Sequence, residues 1–166
     1  LAGPAKTYQV LGIDLGLTRY TGTAGAAPLD SADSWGTVDL RVVAGGQGGL
    51  PQATTPTDIA TVAGRDNLAQ ALTMRLLTVR GALGPLGHPE YGSRLVELIG
   101  QPNNETTRNL ARLYTIEAVA QERRVTKLEA LEVAPAPGRS DSIRITFSVQ
   151  PMNDADPLAV SLEITL

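Results

Sequence analysis

The chain has 166 residues, 42% hydrophobic and 19% charged, the size and apolar share of one compact domain. Lys and Arg number 14 against 17 Asp and Glu, a formal charge of -3, so there is no basic footprint for nucleic-acid phosphates. No apolar window is long enough to span a bilayer, and the absence of cysteine removes disulfides, thiolate metal sites and cysteine nucleophiles together.

Residues 1–57 are rich in Gly, Ala, Thr and Pro, with Gly45, Gly46, Gly48, Gly49 and Pro51 crowded together. Such a composition buries little surface per ordered residue and predicts an extended arm rather than a second core. Its opening, Leu1 to Gln9, lacks a charged start followed by an apolar run, so the chain reads as soluble and without a leader. Two strand-like runs interrupt the arm, Tyr8 to Leu15 and Val38 to Val43, and Asp58 to Val62 reads as another strand ended by Gly64.

Residues 58–166 form the predicted domain. Leu68, Ala71, Leu72, Arg75 and Leu76 recur at helical spacing and predict a helix over 67–78, with Asn67 and Gln70 as a capping box and Gly81 as the stop. Ser93 to Ile99 predicts two further helical turns. Glu105 to Gln121 predicts the longest helix, entered through Pro102, Asn103 and Asn104, with Leu110, Leu113, Tyr114, Ile116, Val119 and Ala120 as its apolar stripe.

The period then changes to two. Val125 to Val133 predicts one strand, Ile143, Ile145, Phe147 and Val149 mark a second, and Leu158, Val160, Leu162, Ile164 and Leu166 a third. Helices followed by a meander, each strand with one wet face, give an α+β fold: helices packed on one side of a small antiparallel sheet, with an extended N-terminal arm. The final strand is predicted at a sheet edge.

The chemistry-bearing residues are sparse. His88 is the single histidine and sits in a turn, without a second ligand at metal-site spacing. Glu90, Glu97, Glu105, Glu117 and Glu122 show no spacing that fixes the carboxyl pair a glycosidase needs. The Gly45 to Gly49 cluster lacks the Lys and Ser or Thr of a phosphate cradle. The expectation is therefore no catalytic residue, no metal and no cofactor. Arg123 and Arg124 follow Glu122 at the exit of the long helix, where two readings stand open: cations favoured by the helix dipole, or guanidiniums that orient a partner.

Asn67, Leu68, Gln70 and Leu72, then Arg75, Leu76, Leu77, Thr78 and Gly81, then His88, Pro89 and Tyr91, Gly92, Ser93, Arg94, Leu95 follow one another in a distinctive order. It resembles the GPW or gene 25-like family, the baseplate wedge and sheath-initiator proteins of contractile phage tails and contractile injection systems. Tyr91 to Leu95 match that family's Tyr-Gly-Ser-Arg-Leu motif, and Glu122, Arg123, Arg124 and Val125 stand where its Glu-Pro-Arg signature is expected. The resemblance covers residues 58–166, departing from the pattern at Ala82 and at Arg123.

The resemblance implies a structural, non-enzymatic virion component. Six copies would dock on wedge proteins around the hub and inner tube through Glu122, Arg123 and Arg124. Each copy, similar to the handshake domain of the sheath subunit, would template the first sheath ring by strand exchange on the edge strand carrying Leu158, Val160, Leu162 and Ile164. It would be cytoplasmic during assembly, then part of the baseplate, with neither nucleic acid nor membrane as partner. The rival reading is a peptidoglycan-cleaving glycosidase of the baseplate.

Overall fold

The computed structural model describes residues 11–19, 38–40, 42–44 and 57–166. Among the described residues six short strands precede the helix that begins at Gly64: β1 Ile13–Leu15, β2 Leu17–Arg19, β3 Val38–Leu40, β4 Val42–Ala44, β5 Thr57–Ile59 and β6 Thr61–Ala63. They pair antiparallel as β1 with β6, β2 with β3 and β4 with β5. Each of three extended segments thus pairs with one neighbour over its first half and another over its second. The ribbons meet beside Gly16, whose N–H donates to the Ala60 carbonyl at 2.7 Å. The expected strand over 58–62 is therefore two strands flanking Ala60. Tyr8 to Val10, Arg41 and the glycine cluster lie outside the described residues.

Helix α1, Gly64–Leu77, follows β6 directly. Gly64, expected to end the strand, instead opens the helix. Its φ of 63° suits glycine, and its N–H donates to the Gly12 carbonyl at 3.1 Å. The predicted capping box is also corrected, because Asn67 and Gln70 lie inside the helix. Buried Asn67 donates through Nδ2 to the Leu11 carbonyl at 2.8 Å. Gln70 accepts from the Leu17 N–H and donates to the Leu15 carbonyl, both at 2.9 Å. Residues 11–17 arrive with main-chain groups unsatisfied, and these two amides, each both donor and acceptor, meet them.

The expected helix over 93–99 is reduced to a 3-10 turn, Leu95–Leu98. Ser93 is held by a parallel bridge to Val79 and is unavailable to a helix. Helix α2, Glu105–Ala120, begins as predicted, with Asn104 Oδ1 accepting from the Thr107 N–H at 2.9 Å. Its buried face is another matter. Thr107, Ala111, Tyr114, Thr115, Ala118 and Val119 face the core, while Leu110, Leu113 and Ile116 are exposed. Small side chains let the helix approach the sheet closely. The threonine hydroxyls are satisfied locally, Thr115 on the Ala111 carbonyl and Thr107 on that of Pro102, both at 2.8 Å.

Strands β7 Val125–Pro135, β8 Ser142–Pro151 and β9 Leu158–Thr165 form an antiparallel sheet in the order β7-β8-β9. Alternation sends Ile143, Ile145, Phe147 and Val149 of β8 and Leu158, Val160, Leu162 and Ile164 of β9 into the core. There they meet Leu68, Leu72 and Leu76 of α1 and Ala111, Ala118 and Val119 of α2, with Leu95 and Leu98 between the helices. The fold is α+β, with both helices packed on the sheet. Leu11, from the predicted arm, is fully buried in this same core.

Candidate functional site

After α1 the chain loops out and returns past the end of the helix at Gly92. The Ser93 N–H donates to the Thr78 carbonyl at 2.8 Å, the Arg80 N–H to the Ser93 carbonyl at 2.9 Å, and Ser93 Oγ to the Leu76 carbonyl at 2.6 Å. Gly92, with φ 106°, lies so close that a Cβ there would sit 2.6 Å from the Thr78 oxygen. The Tyr91 to Arg94 motif is thus a backbone crossing with side chains fixed on either side. Tyr91 lies under the Arg75 guanidinium, 4.4 Å from carbon to ring centroid. Arg94 covers Tyr114 at the same separation and grips Glu97 through two 2.9 Å bonds.

The second motif meets the first at Arg75. Glu122, 8% exposed, receives a bidentate grip from Arg124: Nε to Oε1 at 2.8 Å and Nη2 to Oε2 at 3.1 Å. Arg75 Nη2 approaches Oε2 from the other side at 3.4 Å, and its Nη1 lies 3.5 Å from Gln121 Oε1. Arg124 Nη1 also donates to the Leu11 carbonyl at 3.0 Å. Burial pushes the Glu122 carboxyl up, but the Arg124 bonds and charge, with the Arg75 charge, outweigh it and hold the group below its ordinary 4.5. Burial raises the Tyr91 phenol, keeping it a protonated donor at neutral pH.

A depressed folded-state pKa contributes stability that is complete above the unfolded value and lost as pH falls through the folded one. We expect Glu122→Gln to cost about 2 kcal/mol at neutral pH, because two guanidiniums lose their counter-charge. The variant should also flatten the loss of stability expected of the parent as pH falls below 4.5. Denaturant titrations across pH 3 to 7, on the order of six points, check both effects.

Beside this ion cluster opens a cleft of about 530 Å³ lined by Arg75, His88, Glu90, Tyr91, Gln121 and Arg123. Glu90 is held by Arg80 at 2.5 Å. Of the signature residues, Glu122 and Arg124 are turned inward as an internal pair, whereas Arg123 is exposed on the cleft rim. Tyr91 is also on the cleft, Gly92 and Ser93 form its crossing, and Arg94 lies against Tyr114. The Leu158, Val160, Leu162 and Ile164 side chains are packed in the core, so at β9 it is the main chain that could meet a partner. Among the described residues no strand pairs with β9 on the side away from β8.

In the sequence Arg75 stands out only by its place in a helical repeat and in the residue order that carries the family resemblance, with no site role attached to it. The available signal is a guanidinium one residue before buried Leu76, on a turn with buried Leu72. Among the described residues no group of three or more His, Asp or Glu could hold a metal ion. None of the described helices is long and apolar enough to cross a membrane.

No family model matches the chain, and no curated protein matches it. Among solved structures it is similar to a Geobacter sulfurreducens protein described as a candidate tail lysozyme, with 19% identity and a TM-score of 0.52 over 61% of this chain and 89% of that one. The two share a fold. The likeness reaches a tail-associated protein, coarser than the gene 25-like family that the motifs resemble. It also overturns the expectation that the chain is not an enzyme. That expectation rested on the family resemblance and on the lack of a carboxyl pair at fixed sequence spacing, and a fold carried by a protein described as a lysozyme is no mark of a non-catalytic chain.

Proposed function

We propose that this chain is a baseplate component of a contractile tail or injection system. It docks on wedge proteins through the cleft face and starts the sheath by accepting extended arms along β9. The observation that carries the reading is the meeting of Tyr91, which opens the first motif, with Glu122 and Arg124 of the second around Arg75. Two short matches far apart in sequence converge on one ion cluster, in a fold shared with a tail-associated protein. Within the cluster Glu122 and Arg124 are positioning residues, and Arg123 presents the contact. Strand addition needs an edge whose outer main-chain groups can be paired, and β9 is the terminal strand of its sheet.

The test is assembly. Lysines at Ala159 and Ser161, on the wet face of β9, leave the core untouched while blunting the edge. Particles carrying them should build hub and tube without sheath; sheaths of normal length would overturn the strand-exchange role. Arg123→Ala should weaken co-purification with wedge proteins about tenfold without changing thermal stability, as loss of one interfacial guanidinium does.

A second reading, cleavage of cell-wall glycan, is favoured by the description of the Geobacter protein. The cleft offers Glu90 to it. Release of reducing ends from peptidoglycan by the purified chain, abolished by Glu90→Gln, would establish it.

A further inference from the structure

We propose, resting on the docking role of this face, that the cleft beside Arg75 and Arg123 receives an Asp or Glu carboxylate from an acidic peptide segment. The guanidinium of Arg75 is under-used. Its Nε is buried without a hydrogen-bond partner, and its terminal nitrogens make only the long contacts, 3.4 and 3.5 Å, to Glu122 and Gln121. A buried donor left unpaired is costly, and a ligand oxygen that let this group settle into shorter bonds would recover that cost on binding. The Tyr91 ring beneath it restrains the plane of the guanidinium, so its orientation is set before a ligand arrives.

Arg123 supplies the second fork. It is exposed on the rim and makes no hydrogen bond or ion pair with any described residue. The local charge favours an anion, because the three guanidiniums of Arg75, Arg123 and Arg124 outnumber the two carboxylates that act on this cluster, Glu122 and Asp14, while Glu90 is paired with Arg80. This cationic spot sits on a chain whose formal charge is -3. The planar forks of two arginines match a carboxylate, and no lysine lines the cleft. At about 530 Å³ the space exceeds a bare ion and suits a side chain with its flanking peptide, for which Gln121 and the Tyr91 hydroxyl provide amide and phenol contacts.

Hexaglutamate is a direct probe, followed by side-chain NMR shifts of the full chain, with hexaglutamine and a disaccharide-tripeptide fragment of cell wall as comparisons. Hexaglutamate should shift Arg123 and Tyr91 saturably, hexaglutamine should not, and affinity should fall as salt rises. Arg123→Ala should weaken binding about tenfold, Arg123→Lys should restore it only in part, and Arg112→Ala, outside the cleft lining, should leave it unchanged. No saturable shift up to about 5 mM peptide would overturn the proposal. So would equal losses in the Arg123 and Arg112 variants, or preference for the cell-wall fragment. Particle assembly is read separately: intact incorporation into tails without hexaglutamate binding removes only the carboxylate site, and binding without incorporation removes only the baseplate role.

Discussion

Gly92→Ala is expected to lower stability by about 3 to 4 kcal/mol, the combined effect of a steric collision and a left-handed backbone. The added Cβ would lie 2.6 Å from the Thr78 oxygen and 2.8 Å from the Val79 carbonyl carbon and oxygen. All three are main-chain atoms that cannot rotate aside. Relief requires the crossing segments to separate, which breaks the Ser93–Thr78 and Arg80–Ser93 hydrogen bonds and lifts Tyr91 off Arg75. Gly87→Ala is the control, since that glycine has a φ of 88° but nothing within 4 Å of a Cβ. It should cost about 1 kcal/mol, the conformational part alone. Thermal melts read the comparison, with a drop of roughly 6 to 15 °C for Gly92→Ala and a few degrees for Gly87→Ala. Equal drops would show that the close approach is not what requires glycine at position 92.

That result bears on how far the architecture is legible in the chain. The sheet is readable because large apolar residues recur at every second position of β8 and β9, and a one-residue slip would bring them to the wet face. The start of α2 is readable because Asn104 has a local task that its neighbours' chemistry announces. Its buried face is not, because Ala111, Thr115 and Ala118 are chosen for smallness, whereas hydrophobicity points to Leu110, Leu113 and Ile116. The opening of α1 is misread for a different reason. Asn67 and Gln70 look like a cap, but their partners, Leu11, Leu15 and Leu17, stand more than fifty residues earlier.

The candidate site shows the same division. Tyr91 to Arg94 and Glu122 to Arg124 are visible as motifs, yet their division of labour follows from contacts that no local pattern carries. Arg124 is turned inward because it serves both Glu122 and the Leu11 carbonyl, leaving Arg123 as the outward guanidinium. The two adjacent arginines are equivalent in sequence and opposite in structure.

Leu11→Ala should be the other severe substitution, costing about 3 kcal/mol, since a fully buried leucine leaves a cavity that its neighbours fill only in part. The effect would show that the segment before residue 57 is partly core. Leu11 joins the sheet and both helices in one cluster, and its carbonyl accepts from Asn67 Nδ2 and Arg124 Nη1 together. Its side chain and its carbonyl therefore hold the same few backbone atoms by independent means. Asn67→Ala, which removes one of the two donors, should cost about 1 kcal/mol. In the double variant the losses should fall short of additivity by about 0.5 kcal/mol or more, because a Leu11 already loosened has less to lose from the missing amide. Denaturant unfolding of the four proteins measures this coupling. Limited proteolysis between residues 11 and 19 should accelerate in step with it. Strict additivity would mean that the Asn67 hydrogen bond and the apolar anchor act independently on the arm.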